Sequence, residues 1–168
     1  AATALALQAS YRRARVTAFL DPWADVSDSG YQTIQSLVGI ASGGLFGVGL
    51  GASRAKYEFL PEAHTDFIFA IVAEELGLFG AAVVIGLFVA LTYFGVRVAL
   101  ETADPFGRLV ATGITTWFGV QAFVNIGAVV AVLPITGVPL PFVSYGGSSM
   151  VVTMIAAGIL ANIASHTD

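Results

Sequence analysis

The densest group of ionisable side chains in the sequence runs from Lys56 to Asp66 and leads directly into an apolar stretch. Glu62 and Asp66 are four residues apart, so on a helix they would share one face. A carboxylate at the mouth of a membrane helix, partly removed from water, can act as a general base near neutral pH. His64 could also serve as a base or a ligand. The alternative interpretation is structural, because acidic residues at a helix N-terminus are stabilised by the helix dipole.

Two adjacent acids, Glu74 and Glu75, follow about two turns further along the same apolar stretch. Acidic side chains inside a membrane are costly and usually mark function. They could instead lie at the interface, if the bilayer begins near residue 76. Neighbouring positions on a helix point about 100° apart, so at most one of the two faces any given cavity.

Small and hydroxyl residues open the last apolar segment, where Ser144, Gly146, Gly147 and Ser148 follow a proline-rich stretch. Glycines and hydroxyls at a helix N-terminus can present unpaired N–H groups to an anion such as a pyrophosphate. Close packing of small residues between helices is the alternative. Gln121 and Asn125, four residues apart in an apolar span, predict a polar contact between helices.

The composition places these residues in a membrane protein. The chain has 168 residues, of which 57% are hydrophobic and 11% charged, and 19 glycines bring the apolar share to about two-thirds. Soluble domains average about 45–50% apolar and about 25% charged residues. A net charge of −4 without a basic stripe argues against nucleic acid as a partner. The absence of cysteine excludes disulfides and thiolate chemistry, and with only two histidines we predict no nitrogen- or sulfur-ligated metal site.

The charge pattern predicts an all-α polytopic membrane protein with three complete spans. Leu109–Ser165 contains no Asp, Glu, Lys or Arg, which fits two spans of about 20 residues joined by a turn. Tyr31–Gly51 is apolar but interrupted by glycines, which predicts a re-entrant or interfacial segment. The predicted segments are the end of a helix (1–10), a long loop (11–65), three transmembrane helices (66–99, 109–133 and 142–165), and connections at 100–108 and 134–141.

Three stretches together resemble one known family. They are Phe59–Phe69 with its H-T-D triplet, the E-E-L-G sequence at 74–77, and Leu133–Ser149 with its P-L-P-F-V-S-Y-G-G-S-S sequence. The chain resembles the SEDS family (shape, elongation, division and sporulation) from about Tyr11 to Ser165. The Arg12–Asp25 sequence is most similar to the division branch of that family.

The resemblance implies a fragment from the C-terminal part of a bacterial inner-membrane protein of about ten helices, acting at the division septum. Residues 11–65 and 134–141 would then be extracytoplasmic and 100–108 cytoplasmic. The family polymerises lipid II, and its essential acid in the H-T-D motif corresponds to Asp66. The Glu of its K-x-E pattern corresponds to Glu58.

The family chemistry assigns further residues to substrate. Lys56 and Arg54 are the local cations that could neutralise the pyrophosphate leaving group, and a divalent cation (Mg²⁺ or Mn²⁺) is compatible with that step. Glu62, His64, Ser144, Gly146, Gly147 and Ser148 complete the predicted binding residues. The implied partners are lipid II, a class B penicillin-binding transpeptidase, other division membrane proteins and membrane lipids. The alternatives are a lipid II flippase or transporter, which glycine-broken membrane segments also suit, and a scaffold of the division machinery.

Overall fold

The computed structural model describes residues 29–53 and 66–166, and within those ranges every regular element is an α-helix. Four helices follow one another: α1 (Ser29–Gly43), α2 (Ile68–Glu101), α3 (Pro105–Val129) and α4 (Gly147–Ala164). The last three are long and apolar enough to cross a membrane. The predicted all-α membrane fold with three spans is therefore confirmed. The predicted helix end at 1–10 and most of the loop at 11–65 lie outside the described residues.

The bounds of the helices follow from local sequence signals. α3 begins at Pro105, ahead of the predicted residue 109, because the Asp104 side chain accepts a hydrogen bond from the Gly107 N–H at 2.6 Å. An Asp cap followed by proline at the first helical position is a favoured helix start. α3 ends at Val129 and α4 begins at Gly147, so the turn predicted at 134–141 belongs to a longer non-helical connection.

α2 and α3 form a hairpin whose helices approach each other closely through small residues. A Cβ atom on Gly95 would lie 2.3 Å from Thr115 Oγ1, and one on Gly119 would lie 3.2 Å from Thr92 Oγ1. Each glycine of one helix therefore faces a threonine of the other. This arrangement is common in membranes, where close van der Waals packing holds helices together.

The larger buried cluster lies where α2 begins, α3 ends and residues 134–141 cross them. Phe67 and Phe69 are each 2% exposed there, and Leu140 is 1% exposed. The other buried members are Ala70, Ile71, Ala73, Ala81, Ala122 and Val129. Residues 134–141, called the proline turn from here on, are thus part of the core and lie against the start of α2.

α2 is interrupted at Gly77, whose φ of 69° and ψ of −168° are not helical. Residues 78–101 still rise about 36 Å at 1.5 Å per residue, enough to cross a bilayer core of about 30 Å. The break lies beside residues 44–53, called the glycine loop from here on. α1 precedes this loop and is tied to the end of α3, because Ser36 Oγ donates to the Val129 carbonyl at 3.0 Å.

The segment predicted as glycine-broken from Tyr31 to Gly51 is helical as far as Gly43. Gly39 and Gly43 lie inside α1 and do not end it. Because they lack side chains, α2 can approach α1 closely at these positions. A Cβ on Gly43 would lie 2.2 Å from the Ala73 carbonyl oxygen, and one on Gly39 would lie 3.8 Å from Glu74 Oε2. Only the later glycines form irregular backbone.

Candidate functional site

Asp66 lies immediately before α2, and both its backbone and its carboxylate face the proline turn. Asn125 Nδ2, from the C-terminal half of α3, donates to the Asp66 main-chain carbonyl at 2.9 Å. A Cβ atom on Gly137 would lie 3.3 Å from Asp66 Oδ2, so the carboxylate lies over a residue that has no side chain. Gly137 also has a φ of 71°, which L-residues rarely adopt. Asp66 is half-buried and lines a small cavity of about 10 Å³ together with Asn125 and Gly137.

Two side-chain amides of α3 hold the proline turn. Asn125 Nδ2 donates to the Val138 carbonyl at 2.7 Å, and Gln121 Nε2 donates to the Pro139 carbonyl at 2.8 Å. Both amides therefore make structural contacts, but their acceptors lie in the proline turn and, for Asn125, also at Asp66 just before α2, and not within another helix. Prolines have no N–H to pair with, so the turn offers carbonyl acceptors that need donors from elsewhere.

Ser144 lies at the other end of the proline turn. Its hydroxyl accepts a hydrogen bond from the Leu140 N–H at 2.7 Å, and its own N–H donates to the Leu140 carbonyl at 3.0 Å. Ser144 is buried, and it lines a second small cavity together with Ser149 and Thr153. Asp66 thus lies against one end of the proline turn and Ser144 is hydrogen-bonded to its other end, which spacing in the sequence could not show.

The N-terminus of α4 is open. Gly146 occupies the capping position without a side-chain hydrogen bond, and Gly147 and Ser148 are exposed in the first turn. Ser149 Oγ donates to the Gly146 carbonyl at 2.9 Å. The first N–H groups of a helix point out along its axis and favour an anion. The predicted substrate residues Ser144, Gly146, Gly147 and Ser148 therefore lie together at one helix start.

Glu74 is buried and bound to the glycine loop and to α1. It is 3% exposed, and its carboxylate accepts hydrogen bonds from Ser53 Oγ at 2.5 Å and from Ser42 Oγ at 3.5 Å. Glu75 is half-buried, and its Oε1 has no hydrogen-bond partner among the described residues. The two adjacent acids thus point in different directions, as helix geometry requires. Glu74 faces inward, and its carboxylate binds the glycine loop.

The backbones of the glycine loop and of α2 are paired across the break at Gly77. The N–H groups of Val48 and Gly49 donate to the carbonyls of Glu74 and Glu75 at 3.0 and 3.1 Å. In return, the N–H groups of Leu78 and Phe79 donate to the carbonyls of Gly44 and Leu45 at 2.9 and 3.2 Å. The broken helix leaves these four groups without helical partners, and the loop supplies all four. Irregular backbone at membrane depth needs such internal pairing.

Four predicted site residues, Lys56, Glu58, Glu62 and His64, lie outside the described residues, as does Arg54. The described residues on either side of this segment are both hydrogen-bonded. Ser53 is hydrogen-bonded to Glu74 before it, and Asp66 is hydrogen-bonded to Asn125 after it. Within the described ranges, no group of three or more acidic or histidine side chains is placed to hold a metal ion.

A larger groove of about 620 Å³ lies between α2 and α3, but its lining is nearly all apolar. Phe88, Tyr93, Phe123 and Val130 are among its walls. Among the described residues that line it there is no carboxylate or cation, and Tyr93 is its one ionisable side chain. Asp66, the predicted base, lines the cavity at the proline turn and not this groove.

The sequence matches the family model of cell cycle proteins that groups FtsW, RodA and SpoVE over residues 1–168. The chain belongs to this family. It is 52% identical over 162 residues to a Geobacter metallireducens protein named "Probable peptidoglycan glycosyltransferase FtsW", covering 96% of this chain and 43% of that protein. It is 48% identical over 163 residues to "Stage V sporulation protein E" of Bacillus subtilis, covering 97% of this chain and 44% of that protein.

A solved structure has the same fold. The match has a TM-score of 0.74 at 30% identity and covers 95% of this chain and 43% of the other. That structure is described as "Structural coordination of polymerization and crosslinking by a peptidoglycan synthase complex". The SEDS resemblance drawn from the motifs is therefore confirmed. The chain spans less than half the length of these relatives, and its three long apolar helices agree with a multi-pass membrane protein.

Proposed function

We propose that this chain forms part of a membrane-embedded peptidoglycan glycosyltransferase that polymerises lipid II, with Asp66 as its general base. The position of Asp66 carries the proposal: it precedes a membrane helix, half-buried, with its carboxylate over Gly137 and its backbone held by Asn125. The names of the relatives support the reaction class.

The chemistry needs one base. A sugar hydroxyl of the acceptor attacks the anomeric carbon of the donor and forms the new glycosidic C–O bond. The bond from that carbon to the pyrophosphate oxygen breaks, and the electron pair leaves with undecaprenyl pyrophosphate. Asp66 takes the hydroxyl proton as the nucleophile attacks, which positioned side chains commonly do at a gain of about 10²- to 10⁴-fold. A single in-line displacement inverts the anomeric configuration without an enzyme nucleophile.

The leaving pyrophosphate needs positive potential. The open N-terminus of α4 at Gly146, Gly147 and Ser148 provides oriented N–H groups and a hydroxyl, and Ser144 joins it to the proline turn, against which Asp66 lies. Lys56 and Arg54 would add positive charge, while Glu58, Glu62 and His64 would contact the sugars. In the bacterial inner membrane at the septum, the protein would work beside a class B penicillin-binding transpeptidase, as the peptidoglycan synthase complex in the solved relative suggests.

The test compares Asp66→Asn with Asp104→Asn in the full-length protein, assayed for lipid II polymerisation in detergent. Asn at position 66 keeps the shape of the side chain but takes no proton, so we expect the rate to fall by about 10²- to 10⁴-fold. Asn at position 104 still caps α3, so that variant should polymerise within about twofold of the unmodified rate. Undiminished polymerisation by Asp66→Asn would remove Asp66 from the mechanism.

A transporter or flippase is the second candidate, because the break in α2 at Gly77 resembles the discontinuous helices that line transport sites. Movement of labelled lipid II across proteoliposomes without polymer formation would favour it. A scaffold would instead tolerate replacement of both Asp66 and Glu58 while binding its membrane partners normally. Both outcomes would contradict the glycosyltransferase proposal.

A further inference from the structure

One side chain of α3 joins the two pieces of backbone that determine where the Asp66 carboxylate lies. Asn125 is 2% exposed, and its Nδ2 donates to the Asp66 carbonyl at 2.9 Å and to the Val138 carbonyl at 2.7 Å. Both hydrogens of the amide are therefore used. The two acceptors belong to segments far apart in the sequence, one before α2 and one in the proline turn.

The Asp66 carboxylate depends on both of these contacts. Its own backbone is fixed by the first hydrogen bond. The second fixes Val138, the residue after Gly137, over which Asp66 Oδ2 lies. Among the described residues, the Asn125 side chain binds both the residue before α2 and the proline turn. Its removal breaks both hydrogen bonds at once. A misplacement of about 1 Å can reduce a rate by about 10²-fold.

The remaining polar atom of the Asn125 side chain is its oxygen. Its Oδ1 is buried and has no hydrogen-bond partner among the described residues, and Asn125 lines the same cavity as Asp66. That cavity, about 10 Å³, is close to the smallest space that holds one water molecule. Gln121 Oε1 shares this property, so what distinguishes Asn125 is its pair of donor contacts and its place in the Asp66 cavity.

We propose that Asn125 is a positioning residue for the transfer reaction, which acts by holding the Asp66 carboxylate over Gly137. This inference rests on the proposed function of Asp66 as the base. Asn125 does not touch the substrate in this scheme, and its effect passes entirely through Asp66. Its loss therefore lowers kcat and leaves the binding of lipid II nearly unchanged.

Gln121 supplies a matched control. It lies one turn earlier on α3, donates to the next carbonyl of the same turn, and also has a buried oxygen without a partner among the described residues. Its side-chain amide binds the Pro139 carbonyl, and it lines the buried cavity next to Ser144 and not the Asp66 cavity. Loss of Gln121 should therefore weaken the turn without releasing the Asp66 backbone.

The experiment measures kcat, KM and the thermal midpoint of the full-length protein carrying Asn125→Ala or Gln121→Ala, with lipid II as substrate. We expect Asn125→Ala to lower kcat by about 30-fold or more with KM within about threefold. Gln121→Ala should keep kcat within about threefold, although both variants lower the midpoint. Equal losses of kcat in the two variants, or a normal kcat for Asn125→Ala, would overturn the proposal. Asn125→Leu and Gln121→Met, which keep a similar volume and remove the amide donors without adding a buried charge, decide the question if the alanine variants do not accumulate.

A double variant separates this inference from the proposed function. If Asn125 acts only through Asp66, Asn125→Ala should not lower the residual rate of Asp66→Asn any further. A further loss of the same size as in the unmodified protein would mean that Asn125 acts independently of Asp66, and the inference would fail. Full activity of Asp66→Asn would instead contradict the proposed base itself, whatever the Asn125 variants show.

Discussion

The glycine loop and the proline turn are both irregular backbone packed against the membrane helices, and their hydrogen bonds are satisfied in opposite ways. The glycine loop retains its N–H groups and exchanges four backbone hydrogen bonds with the broken part of α2. In the proline turn, where three prolines lack an N–H, the carbonyls of Val138 and Pro139 accept from the side-chain amides of α3.

The difference explains which residue types each region needs. At Gly47 the loop backbone lies so close to α2 that a Cβ atom would overlap the Glu75 carbonyl, so this position needs a residue without a Cβ. Side-chain amides can reach further, so the proline turn depends on the identity of two polar residues one turn apart on α3. Substitutions of the close-packed glycines should therefore act through steric overlap, and substitutions at the proline turn should act through lost hydrogen bonds.

Gly47→Ala should have the largest effect on stability. A Cβ there would lie 2.0 Å from the Glu75 carbonyl oxygen, so the loop and α2 would have to separate. We expect a loss of more than about 4 kcal/mol in the free energy of unfolding, or no folded protein at all. The measurement is unfolding of the full-length protein in mixed micelles.

Gly51→Ala is the control for this prediction, because Gly51 has the same φ of 80° and a Cβ there would meet no atom of the described residues within 4 Å. It should lose only the about 1–2 kcal/mol that a left-handed conformation costs an L-residue. Similar losses at the two positions would show that backbone conformation, and not contact with α2, makes the glycines necessary.

Glu74→Ala should have an intermediate effect. It removes the acceptor of the Ser53 and Ser42 hydroxyls and leaves Ser53, which is 1% exposed, without that hydrogen bond. We expect a loss of about 2–4 kcal/mol in the same unfolding measurement. Glu75→Ala, its neighbour on the half-buried face, should change stability by less than about 1 kcal/mol. A larger loss at Glu75 would mean that the loop is not held mainly through Glu74.

Ser144→Ala should have a smaller effect on stability than Gly47→Ala or Glu74→Ala, and it tests the proline turn. The buried Leu140 N–H loses its acceptor, which costs about 1–2 kcal/mol. Ser148→Ala, in the exposed first turn of α4, should stay within about 0.5 kcal/mol. If the two serines behaved alike, the hydrogen bond at Leu140 would contribute nothing measurable to the turn.

Much of the fold could be predicted because apolar runs and charge gaps are properties of composition along the chain. The absence of charge from Leu109 to Ser165, interrupted by prolines, predicted two helices and a turn, and α3 and α4 are present there. The candidate acid at Asp66 was also identified, first as a carboxylate at a helix mouth and then by its motif. These signals are local, so they need no knowledge of what packs against them.

The contacts around the site could not be predicted. Asn125 has the same sequence context whether it binds a neighbouring helix or a turn, and only the structure shows that its acceptors are Asp66 and Val138. Sequence patterns do not show which of the adjacent acids Glu74 and Glu75 is buried. Gly43 and Gly47 indicated irregular backbone, but their spacing did not show that α2 would be the partner or that it would break at Gly77.

The amino-acid sequence by itself determined that the chain crosses a membrane, and its motifs determined the family. Hydrophobic free energy depends on how many consecutive side chains avoid water, and that quantity is written in the order of residues. Only the tertiary structure decided that Asp66, Asn125 and Gly137 meet, and which of two neighbouring glutamates is buried. Hydrogen bonds act over about 3 Å, so their partners are fixed only when distant segments have packed.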